Sequence, residues 1–205
     1  KRFIFTSTSE VYAGSLRNGL LTFPTKENSL LTINEKMNTR DSYMLSKIYG
    51  ENMCQFSGLP FLIVRPHNIF GERMGMSHVI PELIKKIQSN KKILKVCNPN
   101  HKRTFCYIED AINMMIKLIN TKKSLNKIYN LGNSKDEIKI LDLAKKILKI
   151  LNKKKIIKEI TLNNFSPRRR VPNTKKIIKD SGYRIVSTLN NNLKKTINWY
   201  IANIS

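Results

Sequence analysis

The feature that most constrains this chain is the unbroken apolar run Phe61-Leu62-Ile63-Val64, closed by Pro66. Four apolar residues with no polar alternation suit a strand buried on both faces, as in a parallel sheet covered by helices. A shorter run of the same kind, Phe3-Ile4-Phe5, breaks into the polar stretch Thr6-Ser7-Thr8-Ser9-Glu10. Between the two lie a segment without sustained period (Ala13 to Asn38) and an amphipathic stretch from about Ser42 to Ser57. The first of these reads as a long surface loop, the kind that usually serves function. The second reads as a helix, with Asp41 or Ser42 placed to cap its first turn and Gly58 to end it. Strand, loop, helix and strand in that order make a parallel sheet with a right-handed crossover.

Beyond Gly71 the pattern changes. A helix is expected from about Ile80 to Ser89, with strands at Ile93–Cys97 and Thr104–Ile108 around the turn Asn98-Pro99-Asn100. Another helix covers about Glu109–Asn120, and Ile128-Tyr129-Asn130-Leu131 reads as a strand. Helices are expected at Ile140–Leu151, at Thr174–Ser181 with Gly182 at its end, and at Leu193–Ile201. The fold class is therefore α/β. A partial doubly wound parallel sheet occupies residues 1–71, and a smaller α+β region, residues 72–205, partly returns to that sheet.

Composition excludes several function classes. A chain of 205 residues with 40% hydrophobic content can bury a core and is not disordered in composition. No apolar run approaches the length of a membrane span. Cys54, Cys97 and Cys106 stand far apart, and with His67, His78 and His101 they form no metal-binding spacing, which fits reduced thiols in a cytoplasm. The net charge of +24 invites a nucleic-acid reading. The basic residues, however, are scattered along helical faces, and Lys153-Lys154-Lys155 carries none of the interleaved aromatics of a single-strand groove. The expectation is no nucleic-acid partner and no membrane.

Tyr43-Met44-Leu45-Ser46-Lys47 carries the chemistry. Positions i and i+4 share a helix face, so Tyr43 and Lys47 project into one space. A phenol near its ordinary pKa of about 10 is a poor base, and a neighbouring ammonium favours the phenolate. Alone the pair is weak, since any amphipathic helix can contain one. In a doubly wound sheet, however, ligands bind beyond the carboxyl ends of the strands, which gathers Thr8, Glu10, Tyr43, Lys47 and Asn68 at one crevice. His67, beside the same strand end, reads as a packed or hydrogen-bonded histidine rather than an acid.

With these residues placed, the chain resembles the extended short-chain dehydrogenases/reductases of the NAD-dependent epimerase/dehydratase family, which modify nucleotide sugars. The resemblance extends through Arg103-Thr104-Phe105-Cys106-Tyr107-Ile108-Glu109-Asp110, similar to the family's Arg-x-Phe-x-Tyr-Val-x-Asp segment. It continues through Tyr129-Asn130-Leu131-Gly132-Asn133 and Arg170-Val171-Pro172-Asn173, the last with Asn173 where the family has Asp. It implies a Rossmann-like fold with Thr8, Tyr43 and Lys47 as the catalytic triad and Glu10 as a further acid/base group. Ser7, Tyr43, Lys47 and Pro66 would meet the cofactor, NAD, with NADP not excluded. Ser9, Asn68, Arg103 and Arg170 would meet a nucleotide-diphosphate sugar, an arginine fork being suited to a diphosphate. Thr8-Ser9-Glu10 looks like the decarboxylases and 4,6-dehydratases more than the simple 4-epimerases, and epimerase, dehydratase and decarboxylase all stay open. A homodimer is expected by the same resemblance.

The family's Gly-x-x-Gly-x-x-Gly turn does not occur in this sequence. By the resemblance it precedes Lys1. The chain is thus expected to be N-terminally truncated and, by itself, inactive and poorly soluble, with Phe3–Phe5 a bare sheet edge. A non-catalytic Rossmann-like binding module or a gene fragment is the alternative reading.

Overall fold

Alternate residues of the Phe61–Pro66 strand face opposite ways, and each face meets a different helical layer. The computed structural model describes residues 2–36, 38–162 and 166–203. Its first half runs β1 (Phe3–Thr6), a 3-10 turn at Ser9–Tyr12, α1 (Ala13–Arg17), α2 (Asp41–Phe56), β2 (Phe61–Pro66), β3 (Ile69–Phe70), α3 (Val79–Gln88) and β4 (Ile93–Cys97). There follow β5 (Lys102–Arg103), β6 (Cys106–Tyr107), α4 (Ile108–Ile119), β7 (Lys127–Leu131), β8 (Ile138–Lys139) and α5 (Ile140–Ile150). The described chain closes with β9 (Ile156–Ile160), β10 (Arg169–Arg170), α6 (Lys175–Ser181) and α7 (Leu189–Asn203).

The main sheet has the order β1-β2-β7, all parallel. Phe61 and Ile63 join Cys54 of α2 on one face, while Leu62 and Val64 join Met114 and Leu118 of α4 and Ile177 of α6 on the other. That two-sided burial is why the run shows no polar alternation, and it makes the sheet doubly wound. Where α2 crosses β1, a Cβ on Gly50 would lie 2.4 Å from the Phe5 ring, so only glycine allows this approach. A third cluster gathers α3, α5 and α7 around Leu94 and Val96 of β4.

Phe3 is half exposed, and among the described residues β1 pairs only with β2, the open sheet edge expected of it. Other expectations do change. The segment from Ala13 begins as a helix, and Ser15 and Thr25 are buried rather than on the surface. Their short polar groups find backbone carbonyls: Ser15 bonds the Leu30 carbonyl and Thr25 the Thr22 carbonyl. Neither Asp41 nor Ser42 caps the helix amides; Asp41 is the first helical residue and accepts instead from Arg17 and the Asn38 amide. Thr104–Ile108 is not one strand, since pairing is confined to Cys106–Tyr107 and Ile108 already opens α4. β4 pairs not across the Asn98 turn but in parallel with β9, a strand hidden in sequence behind the lysine run.

Two short ladders matter for the site. β5 lies between β10 and β8, and the register sets Arg103 directly opposite Arg170. β3 pairs with β6, which carries the chain from the end of β2 toward that same region.

Candidate active site

β1 and β2 end side by side, and the Ser7 amide donates to the Val64 carbonyl to hold the emerging chain in place. Thr8, in extended conformation, starts the 3-10 turn: its hydroxyl oxygen accepts from the Glu10 amide at 3.2 Å. A threonine suits this position because its side-chain oxygen replaces a missing backbone acceptor. Its own O–H remains able to donate. Thr8 and Ser9 are buried, while Glu10 is partly accessible.

From α2, Tyr43 reaches out with half its surface exposed. The Lys47 ammonium lies 5.8 Å from the Tyr43 ring centre, 5.1 Å from that of Phe5, and donates to the Thr6 carbonyl at 2.9 Å. The helical spacing thus does bring the two side chains together, with the ammonium anchored at the end of β1. Asn68, just beyond β2, adopts a positive φ of 44°, which asparagine tolerates, and its amide donates to the Thr104 carbonyl at 3.0 Å.

Arg103 and Arg170 supply the opposite wall. Arg103 is buried and spends its guanidinium on the carbonyls of Lys102 and Pro167 and on Ser166. Burial, then the like charge of Arg170, disfavours its charged form, and Glu10 partly offsets them. Arg170 donates to Glu10 at 2.7 Å. Burial alone would raise the Glu10 pKa, but Arg170 first, then Arg40 and Arg103, outweigh it and hold the carboxyl below its ordinary range. The wall therefore carries an excess of positive charge over one carboxylate, an arrangement that favours an incoming anion.

These groups line one cleft of about 800 Å³, large enough for a nucleotide sugar. Eight of the ten residues expected from sequence lie on it: Thr8, Ser9, Glu10, Tyr43, Pro66, Asn68, Arg103 and Arg170. Ser7 and Lys47 do not line it. Ser7 is buried, and its hydroxyl donates to Glu51.

Sequence reasoning missed what lies beneath the cleft. Arg65 and Glu51 form a buried two-pronged ion pair, with Nε to Oε1 at 2.8 Å and Nη2 to Oε2 at 2.6 Å. Arg65 Nη1 donates to the Tyr12 hydroxyl at 2.7 Å, which donates to Asn130 Oδ1 at 2.9 Å. The available signal was an arginine inside a buried strand, which requires a partner. His67 is packed, as expected. Asn130 Nδ2 donates to the Thr25 carbonyl, so its Oδ1 faces His67 and takes the Nε2 proton. Burial, only partly opposed by that hydrogen bond and reinforced by Arg170 and Arg65, drives the His67 pKa down to about 3. A neutral imidazole facing away from the cleft is no acid for this site.

The sequence and the fold both have known relatives. Residues 1–132 match the sequence model of the NAD dependent epimerase/dehydratase family. A dTDP-D-glucose 4,6-dehydratase of Dictyostelium discoideum is 31% identical over 123 residues, covering 55% of this chain and 27% of that protein. A UDP-N-acetyl-alpha-D-glucosaminuronate decarboxylase of Bacillus cytotoxicus is 33% identical over 118 residues, covering 55% of this chain and 35% of that protein. The crystal structure of a UDP-glucuronic acid 4-epimerase from Bacillus cereus, in complex with UDP-glucuronic acid and NAD, superposes with a TM-score of 0.83 at 24% identity. It covers 98% of this chain and 62% of that one, so the chain spans about a third or less of the two curated relatives and under two thirds of the solved one.

Proposed function

The chain belongs to the NAD-dependent epimerase/dehydratase family, and on that premise we propose that its protein modifies a nucleotide-diphosphate sugar through transient oxidation at the sugar C4. One observation carries the reading: Thr8, Glu10 and Tyr43 line the same cleft as Arg103 and Arg170. Proton-handling groups and a diphosphate-holding wall are thereby within one substrate's reach. Residues 1–71 take the cofactor side in this reading, and residues 72–205 mainly the substrate side.

The residues present fit the nicotinamide end of the cofactor. Tyr43 stands half exposed in the cleft, Lys47 lies beside it at the end of β1, and Pro66 closes β2 at the cleft wall. Ser7, with its hydroxyl committed to Glu51, supports that site by its backbone. When bound, NAD would supply the hydride acceptor for C4 and the hydride donor that closes the cycle. Tyr43 takes the 4-hydroxyl proton, and returns it where the reaction re-forms that hydroxyl, while Thr8 donates a hydrogen bond to the same oxygen. Glu10 then acts on the activated ketone, removing the C5 proton for loss of water or assisting loss of carbon dioxide from a uronic acid. Arg103 and Arg170 hold the diphosphate, with Ser9 and Asn68 beside the sugar. An ionised Glu10 in the cleft favours the dehydratase or decarboxylase outcome over simple epimerisation.

α2 also leaves Tyr49, Met53 and Phe56 exposed, which supports a homodimer. The three cysteines are unpaired, which supports a reducing, cytoplasmic setting, and among the described residues no helix is long and apolar enough to cross a membrane.

The test has two parts. Calorimetry of the 205-residue chain with UDP, dTDP and GDP should show binding that Arg103→Ala weakens. The gene's full product, supplied with NAD and a panel of nucleotide sugars, should convert one of them, as read by NMR of the sugar. Binding of no nucleotide diphosphate and conversion of no sugar would overturn the proposal.

A further inference from the structure

Arg65 and Glu51 are each about 3% exposed, and taking both charges out of water carries a desolvation penalty that their attraction at best repays. Two apolar side chains of similar size would serve packing as well. What an apolar pair would not supply is the set of bonds leaving this one. Glu51 Oε1 accepts from the Ser7 hydroxyl, and Arg65 Nη1 donates to the Tyr12 hydroxyl at 2.7 Å and to the Glu27 carbonyl at 2.9 Å. Ser7 and Tyr12 bracket the segment Thr8-Ser9-Glu10. Both ends of the segment that presents Thr8 and Glu10 to the cleft are thus tied to one ion pair.

The pair is itself rooted in the other half of the site. Glu51 lies four residues after Lys47 and eight after Tyr43, on the same face of α2. Arg65 directly precedes Pro66 at the end of β2. We infer that Glu51 and Arg65 are positioning residues that set the Thr8–Glu10 segment in register with Tyr43 and Lys47, using Ser7 and Tyr12 as the two tethers. This rests on the reading of the cleft as catalytic.

The tethers can be cut without stranding a charge. Ser7→Ala leaves Glu51 with both Arg65 bonds, and Tyr12→Phe leaves Arg65 Nη1 with the Glu27 carbonyl. Amide hydrogen exchange on the 205-residue chain is the first readout. In the double variant, exchange across residues 8–12 should quicken about tenfold for the lost bonds, while residues 61–66 keep their protection. The second readout is turnover by the full product. There kcat should fall about 10-fold to 100-fold from misplaced groups. KM for the nucleotide sugar should hold within about twofold, because Arg103 and Arg170 are untouched. Ser7→Thr, which restores the hydroxyl, should recover most of kcat. Should the double variant fail to fold, the two single variants carry the same readouts. Unchanged exchange at residues 8–12 in folded variants would overturn the inference, as would a lower melting temperature with unaltered kcat. A wild-type protein that turns over no nucleotide sugar would sink the proposed function, while the exchange measurement would still decide the tethering.

Discussion

Glu10 and Arg170, 160 residues apart in the chain, meet in an ion pair of 2.7 Å on the wall of the cleft. The contact closes the distance between the end of β1 and the late β10 segment, so it reports on the assembly of the whole site. The folded pKa of Glu10 lies below the ordinary value of 4.5. Its stabilisation is therefore complete above that value and is lost as pH falls through the lower folded one. Glu10→Gln should melt below wild type at about pH 7, and the two should converge in acid as wild type is protonated. Arg170→Gln should push the remaining Glu10 upward, since burial is the largest influence on it. Thermal melts across pH and carboxyl NMR titration test both; a melting gap that is constant down to strong acid would contradict the pair.

Tyr43→Phe removes the only phenol lining the cleft among the described residues. In the full product, kcat should fall by about 10² to 10⁴, the usual contribution of a general acid/base. Binding of the nucleotide diphosphate to the 205-residue chain should not change, because Tyr43 is half exposed and lies on another element than Arg103 and Arg170. Steady-state kinetics and calorimetry check the two halves, and a variant with wild-type kcat would end the proposed role.

Much of this was legible in the sequence because local rules and the fold agree. The apolar run of β2, the glycine after α2 and the Tyr43–Lys47 spacing each specify a feature with few alternatives. Arg103 and Arg170 lie far apart in sequence, and only the pairing of two two-residue strands sets them opposite each other. β9 escaped notice because Ile156-Ile157-Lys158-Glu159-Ile160 shows no period-2 alternation and follows a lysine run, and its partner β4 is about 60 residues away in the chain. The Arg65 network escaped because it joins four elements (the 3-10 turn, α2, β2 and β7) through side chains, a relation that no local period records. The polar Ala13–Asn38 segment was read as exposed for the same reason: the partners of its buried groups are distant or backbone.

Removing one member of the buried ion pair should be far more damaging than removing both. Glu51→Ala leaves Arg65 charged and enclosed, for a predicted loss of about 3–5 kcal/mol. Glu51→Leu with Arg65→Met should regain most of that stability, since no charge is left unpaired. By the positioning argument it should not regain kcat. Urea unfolding of the 205-residue chain measures the first comparison. A loss of under about 1 kcal/mol in Glu51→Ala would match an exposed pair rather than a buried one.

His67 gives the fold a pH dependence distinct from that of Glu10. Its folded pKa is about 3 against an ordinary 6.5, so over that interval the unfolded chain takes up a proton that the native state refuses. Stability should therefore fall as pH drops below 6.5, by up to about 1.4 kcal/mol per pH unit. Between 6.5 and 4.5 the Glu10 contribution is still intact, which separates the two effects. His101 is also lowered, by burial first and then by Arg103 and Arg168, so some slope will remain without His67. His67→Gln, whose amide can still donate to Asn130, should flatten the curve in that window and leave the His101 share. Urea midpoints measured across the window decide it: a variant as steep as wild type would mean that His67 is not held neutral in the folded protein.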